Sequence, residues 1–596
     1  MFRRKGDTIS PDASYPANLK ELGFFINKLG HIRMIEAPDK PFVFNATNIE
    51  RHNEVRNEAL HACSRAEVTE RASKLGIKQL FFPQLTTVKP AGPHIPILAP
   101  SADILRTRKR IVVIINDTLQ DLGILAYRQL QRDLGFNGGS VINFAKEMVK
   151  RSARNDKEGP IQSIFDDGVS IDDSETPGLV VLNAGQLLYS HKFNRSMTLR
   201  SWYALPRKSI AHDAIRIHEE ENYVEGHRTP AQHIKSVFDQ LLCNPEYVSP
   251  DADLYIVAIE DGASNALEVI NDDFDKYGTR IAAMAMIHTL AEISDLTHPS
   301  LKAFLHQRTR QWKYSDLGLD PEECTELPDD YSCDAPKQTL QQDTNVIRWN
   351  AELPGPSSLS EIATPLHRLT LNTVFSSSDK SAPTNSDPDA SYDWGSGSVP
   401  CPTFAGGQEP AGECVFTDPA VQRAILSFFE DVAQDPENYR NPAFTTVVVP
   451  SPTADEPFIL DADAPVPETV DTSTAHLMTP EQLELDEARK KLADMRIALG
   501  ACPDDVDILA KGREKLAAKV AKQEAAIQDL QVKALGSGAL GAGEAEDLRQ
   551  EWKPQVDGPR VPFAGTMVDS ELLKAAGLGE TASEELEKLG EGKAFL

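Results

Sequence analysis

The segment Leu254-Tyr-Ile-Val-Ala-Ile-Glu-Asp-Gly-Ala-Ser-Asn-Ala-Leu-Glu268 has the clearest chemical pattern in the chain. An apolar run enters small residues and then a helical pattern. This is the strand–turn–helix arrangement of a nucleophile elbow, in which a strained turn exposes one side chain and the next helix N-terminus steadies an oxyanion. Two registers fit. Gly262-Ala-Ser264-Asn-Ala266 approximates G-x-S-x-G and makes Ser264 the nucleophile, but places it about five residues past the strand, inside the first helical turn. In the other, Ala258-Ile-Glu260-Asp261-Gly262 puts Glu260 directly after the strand. The second register is preferred, and a glutamate there, beside Asp261, is not a serine-type nucleophile.

Other candidates are weaker. His288 follows the apolar run Ile281–Ile287, so Glu260 and His288 are expected at the tops of neighbouring strands, binding a ligand or satisfying each other. The mutual, structural role is preferred. With Ser264 as nucleophile, His288 or His227 would be the base of an atypical hydrolase. His212, His218, His227 and His233 flank Glu219–Glu221, but their spacings of 6, 9 and 6 put no pair at i, i+4. They read as solvated or core-edge histidines. The seven cysteines form no C-x-x-C, so neither a zinc site nor any cofactor is expected. Arg106, Arg108, Lys109 and Arg110 lead into the run Ile111–Ile115, with Arg128 and Arg132 beyond it. They are either strand-end charges or a contact for phosphate or an acidic protein.

Positioning these residues requires an α/β framework. Strand-like runs at Gln79–Phe82, Ile111–Ile115, Leu179–Leu182, Leu254–Ile259 and Ile281–Ile287 alternate with helical patterns. The helical patterns are Leu122–Leu134, Val141–Arg151, Ala231–Leu242 and Ala263–Phe274. Buried strands separated by helices imply a mostly parallel sheet. This reading assigns 1–13 to a disordered N-terminus, 14–316 to the first part of the α/β domain and 317–400 to a mostly disordered insertion rich in Asp, Pro and Ser. Residues 401–449 return the last strand and an amphipathic helix over Pro419–Val432, and 450–478 form a linker. Residues 479–535 carry two apolar stripes with 3-4 spacing and read as a helical hairpin or coiled coil. The tail 536–596 is flexible and acidic, with a weak amphipathic helix near Glu571–Leu578.

The segments Asn18–Lys28, Gly30–Arg33, Pro41–Phe44, Asn57–Leu60 and Ile77–Pro83 resemble a known family, as do Gly139-Ser140, Val180–Ala184 and His233–Phe238. Phe304–Trp312 and Ala424–Phe429 complete the match, over about 15–316 and 400–442. The family is the domain of the second argonaute-binding subunit of the fission-yeast argonaute siRNA chaperone complex. It also occurs in animal relatives and in the C-terminal region of fungal class II histone deacetylases. The resemblance implies an α/β-hydrolase-like fold. Many members carry an Ala-His-Ser-x-Gly-Gly elbow, an Asp after the next strand and a His near the end. Here the elbow reads Ala258-Ile-Glu260-Asp261-Gly262-Ala263, His288-Thr289 replaces the usual Asp-Ser, and no histidine lies between His367 and His476. The expectation is therefore a pseudo-hydrolase: a binding or scaffold protein in RNA-silencing or heterochromatin-associated complexes, with argonaute or chromatin-modifying subunits as partners. The competing readings are the hydrolase using Ser264 and a coiled-coil assembly adaptor that self-associates through the hairpin.

Charge narrows the partners. The chain of 596 residues has a formal net charge of −29. Residues 1–150 hold 22 Lys/Arg against 15 Asp/Glu, whereas residues after 450 hold 16 against 29. An acidic surface repels phosphate backbones, so general nucleic-acid binding is disfavoured and any direct contact should fall near 106–132. No apolar run reaches the ~20 residues of a membrane span, and no signal region follows the charged start. The expected location is nucleus, cytoplasm or both.

Overall fold

The computed structural model describes residues 11–132, 134–155, 169–171, 175–209, 212–289, 291, 296–315, 319–328, 331, 399–409, 411–447, 480–537, 560–563 and 566–569. Internal contacts divide the chain into two compact units, one built on a large sheet and one on a pair of helices.

The sheet has nine strands: β1 (Lys78–Phe82), β2 (Ile95–Ala99), β3 (Arg110–Ile115), β4 (Gly178–Val181), β5 (Asp253–Ile259), β6 (Ile281–Ile287), β7 (Thr309–Lys313), β8 (Cys324–Glu326) and β9 (Thr403–Ala405). Their order is β8-β9-β7-β6-β5-β3-β4-β2-β1. From β4 to β9 every pairing is parallel, while β2 runs antiparallel to both neighbours and β8 antiparallel to β9. The fold class is thus α/β with a mixed, mostly parallel sheet.

Composition explains the centre of the sheet. β3, β5 and β6 read RIVVII, DLYIVAI and IAAMAMI, almost wholly apolar, because helices cover both faces of a parallel sheet. Alternation then sorts the side chains. Ile111, Val113 and Ile115 enter one core with helices α3 (Pro230–Val237), α4 (Asp261–Asp272) and α5 (Pro299–Arg308). Val112 and Ile114 enter the other, with helices α2 (Val141–Arg151) and α6 (Pro419–Gln434), while α1 is the helix Glu50–Lys74. The helix starts are encoded locally. Ser140 caps the Val141 helix, while Asp418 caps the Pro419 helix with proline at its first position.

Some expected elements differ. The pattern over Leu122–Leu134 yields only the short helix Tyr127–Gln131. Ala231–Leu242 is α3 continued by a π-helical turn, Phe238–Leu242. The stretch assigned to the insertion contributes β8 to the sheet edge, and nearly all the rest of it lies outside the described residues. The linker 450–478, the helix near Glu571–Leu578 and the first ten residues also lie outside them. A 25-residue helix, Glu50–Lys74, stands where no helix was expected, because its buried stripe (Val55, Ala59, Leu60, Val68, Ala72) is thin amid charged residues.

In the second unit, helices Pro480–Ala501 and Ala510–Ser537 pack through Leu485, Leu492, Met495, Leu516, Val520 and Ile527. The cross-helix pairs Arg496–Glu524 and Glu484–Lys533 run in opposite directions along the two helices, so the hairpin is antiparallel. A strand pair, Arg560–Phe563 with Thr566–Asp569, also belongs to this unit.

Candidate functional site

β5 ends at Ile259 and α4 begins at Asp261, so one residue makes the whole turn. That residue is Glu260, at φ +48° and ψ −119°, a left-handed conformation that costs a side-chain-bearing residue free energy. The turn is held because the Glu260 N–H donates to Ile287 O at 2.8 Å, and it passes so close to β3 that glycine is required next to it. A Cβ at Gly262 would lie 2.5 Å from Asn116 O and 2.6 Å from Ile115 O, both backbone atoms. Glu260 therefore holds the apex. Ser264 sits in the first turn of α4, and among the described residues no hydrogen bond joins its hydroxyl to a histidine.

His288 stands one residue past β6, also at φ +48°. Ile259 and Ile287 are register partners, so Glu260 and His288 top adjacent parallel strands, as the spacing implied. The loop after β9 closes over both. A Cβ on Gly412 would collide with Glu260 Oε1 and stand 2.5 Å from His288 Cδ2. The next residue, Glu413, turns this loop into a carboxylate-bearing lid. Its carboxylate accepts a hydrogen bond from Gln120, and its backbone N–H donates to Glu260.

The result is a crowd of carboxyls at the C-terminal ends of the strands, where ligands bind open parallel sheets. Burial, with Asp117 and Glu413 nearby, pushes Glu260 up to about 7. Burial likewise raises Asp117 and Glu413. Asp261, on the exposed side, accepts from Thr118 Oγ1 at 3.0 Å. His288 is pushed down by burial and by Lys313, which favours its neutral form, while Glu260 is raised into the range where it takes up or gives a proton near neutral pH. Such a group can donate a hydrogen bond or exchange a proton with a bound ligand. Asp117, Gln120 and Glu413 escaped sequence reading. The available signal was Asn116-Asp117-Thr118, directly past the apolar run of β3.

The other sequence candidates fall elsewhere. Arg110 pairs with Asp253 in register at the opposite end of the strands from Glu260. Arg106 pairs with Asp103, Arg108 is buried and donates to Thr176 O at 3.3 Å, and Lys109 meets Glu175 at 2.9 Å. Arg110 donates to Glu175 O at 2.8 Å. The cluster anchors the segment around Glu175.

The histidines divide. His212 is exposed and bonded to Ser209 Oγ at 2.7 Å, and His218 is exposed too, so these two are solvated as expected. His227 and His233 are fully buried, not solvated or at a core edge, and both lie edge-on to Phe82. The Asn183 N–H donates to His233 Nε2 at 3.1 Å, so His233 carries its proton on Nδ1 and donates to His227 Nδ1 at 2.9 Å. Burial pushes His227 down to about 4 and His233 well below its ordinary value, keeping both neutral.

Among the described residues, no group of three or more His, Cys, Asp or Glu is arranged to hold a metal ion. No helix among them is long and apolar enough to cross a membrane. A model of the Arb2 domain matches residues 15–319, just over half the chain. The chain belongs to the Arb2 domain family. The match covers the sheet from β1 to β7 together with the Glu260 turn, His288 and Asp117. β9 and the Gly412–Glu413 loop lie beyond it, yet complete the same sheet and the same site. No curated protein and no solved structure matches.

Proposed function

We propose that this Arb2-domain protein is a non-catalytic, hydrolase-like binding protein that acts through protein partners. Membership of the Arb2 family supports an argonaute-binding, chaperone-like role, and with it a place in RNA-silencing or heterochromatin-associated complexes in nucleus or cytoplasm. The strand–turn–helix at β5 and α4 supports a hydrolase-like origin for the shell. One observation carries the non-catalytic reading: the apex of the turn holds Glu260, in the strained conformation an elbow gives its nucleophile. The loop that reaches this apex brings glycine and glutamate rather than a histidine base. Serine acyl transfer needs nucleophile and base within hydrogen-bond reach, and neither position supplies its part.

The test uses the purified full chain with argonaute from the same cells. The expected result is saturable binding together with no turnover of p-nitrophenyl esters above the buffer rate. Ester hydrolysis abolished by Ser264→Ala or Glu260→Gln would replace this reading with an atypical hydrolase. Hairpin-driven self-association is a separate component of the proposal. It is checked by comparing the oligomeric state of the full chain with that of a variant lacking 479–535, and an unchanged state removes it.

A further inference from the structure

A cavity of about 330 Å³ lies away from the elbow, lined by residues of the Glu50–Lys74 helix, of β1 and of the strand Arg195–Met197. Its chemistry is one-sided. Arg65, Lys89 and Arg195 line it, and no aspartate or glutamate among the described residues does. Arg65 is already matched, to Glu58 at 2.6 Å and Asp121 at 3.0 Å. Arg195 is not. Its Nε is buried without a hydrogen-bond partner, and no ion pair reaches it among the described residues, although its guanidinium lies 5.9 Å from the Phe193 ring centroid. Lys89, exposed at the rim, likewise has no carboxylate partner among the described residues. Gln79 and Ser196 add neutral donors to the same space.

Leaving the buried Nε without an acceptor is costly, and Arg65 nearby adds repulsion against the longer-range attraction of Glu58 and Asp121. The two terminal nitrogens of the fork, which meet no carboxylate among the described residues, match two oxygens of one anion, and Lys89 adds a point charge at the mouth. Two unmatched cations with two neutral donors suit a dianion carrying several oxygens better than a single carboxylate. The volume exceeds what an ion alone fills, since a water takes roughly 30 Å³, and reaches the lower range of small-ligand pockets. We propose that this cavity binds the phosphoryl group of a small phosphate monoester, gripped by Arg195 and Lys89.

The test is calorimetric titration of the full chain, in a phosphate-free buffer at low salt, with glycerol 3-phosphate, inorganic phosphate and sodium acetate. Arg195→Gln and Lys89→Gln are titrated beside the wild type. Glycerol 3-phosphate is expected to bind below about 1 mM, at least tenfold tighter than acetate. Arg195→Gln should weaken it by about tenfold or more and Lys89→Gln by about threefold. Both variants should keep the wild-type far-UV spectrum, because neither residue has a protein ion pair to lose. No heat from glycerol 3-phosphate at 10-fold that concentration, equal binding by Arg195→Gln, or binding of inorganic phosphate but not the ester would each overturn the proposal.

Discussion

Two carboxyls, Asp121 wholly buried and Glu260 partly open, differ in charge, and the more buried one is the more firmly ionised. Burial raises Asp121 as it raises Glu260, but Arg65 at 3.0 Å, Arg200 at 3.3 Å and the Tyr127 hydroxyl at 2.6 Å outweigh it, and Asp121 is held at about 2. Gln186 Nε2 donates to its other oxygen at 2.6 Å. Glu260 meets further carboxyls instead of cations and rises to about 7. The difference lies in the neighbours, not in burial. A satisfied network of this kind fixes one arrangement of the core, joining the Glu50–Lys74 helix to the loop after β3. A crowd of like charges stays responsive to protons, which is what a binding site needs and a structural joint does not.

The comparison breaks first at its structural half. Asp121→Ala should cost about 3 to 5 kcal/mol in chemical denaturation, because Arg65 and Arg200 then remain near a vacated buried site. A loss under about 1 kcal/mol would mean that the network contributes little. Next comes the turn itself. Gly262→Ala should cost about 2 to 3 kcal/mol, since its Cβ would meet the backbone oxygens of Ile115 and Asn116 and neither can move cheaply.

The carboxyl crowd gives a smaller, pH-dependent effect. Glu260 has a folded pKa above its unfolded one, so its contribution is fully present below about pH 4.5 and is lost as pH rises through about 7. Glu260→Gln should therefore stabilise the protein above pH 7. The gain should be about 1 kcal/mol, once solvent screening of this partly open group is discounted. The histidine pair has the opposite sign. His227 is depressed to about 4, so the folded state loses stability as pH falls from the ordinary histidine range toward that value. In wild type the two slopes oppose each other between about pH 4.5 and 6.5. Glu260→Gln should tip the balance toward the acid-side loss, visible as a steeper fall in thermal midpoint on acidification; an unaltered profile would remove Glu260 from the account.

The smallest effect marks the contrast between buried and exposed pairs. Arg496 and Glu524 bridge the hairpin at 2.8 Å but are well exposed, so Arg496→Ala should shift stability by no more than about 0.5 kcal/mol. A larger loss would show that the hairpin depends on its charges rather than on the Leu485–Ile527 seam.

Legibility followed periodicity. The runs that became β3, β5 and β6 are continuous and apolar, so their positions could be read within a residue or so. Val141–Arg151 was legible to the residue because a serine cap precedes a strongly amphipathic stretch. β2, reading IPILA, is short and holds a proline, and β7, reading TRQWK, is polar, so neither signalled a strand. Tertiary context decides both. Gln311 is buried and bonds Thr403 across to β9, and Trp312 packs on Phe404. The Glu50–Lys74 helix was hidden by its charge, much of which is spent in the Asp121 network and on Asp12.

At the site, local chemistry placed Glu260 at the apex, because small residues after a buried strand leave few ways to turn. It also placed Glu260 and His288 on neighbouring strand tops. What the chain alone could not show was Glu413, more than 150 residues from Glu260 in sequence and joined to it only by the fold. Nor could it show that Arg106–Arg110 is taken up at the other end of the strands, or that Arg195 is left unmatched in a cavity. Strand, turn and cap depend on residues within a few positions of one another, so the sequence by itself determined them. Charge pairing and pKa depend on which distant groups meet out of water, and only the tertiary structure decided that.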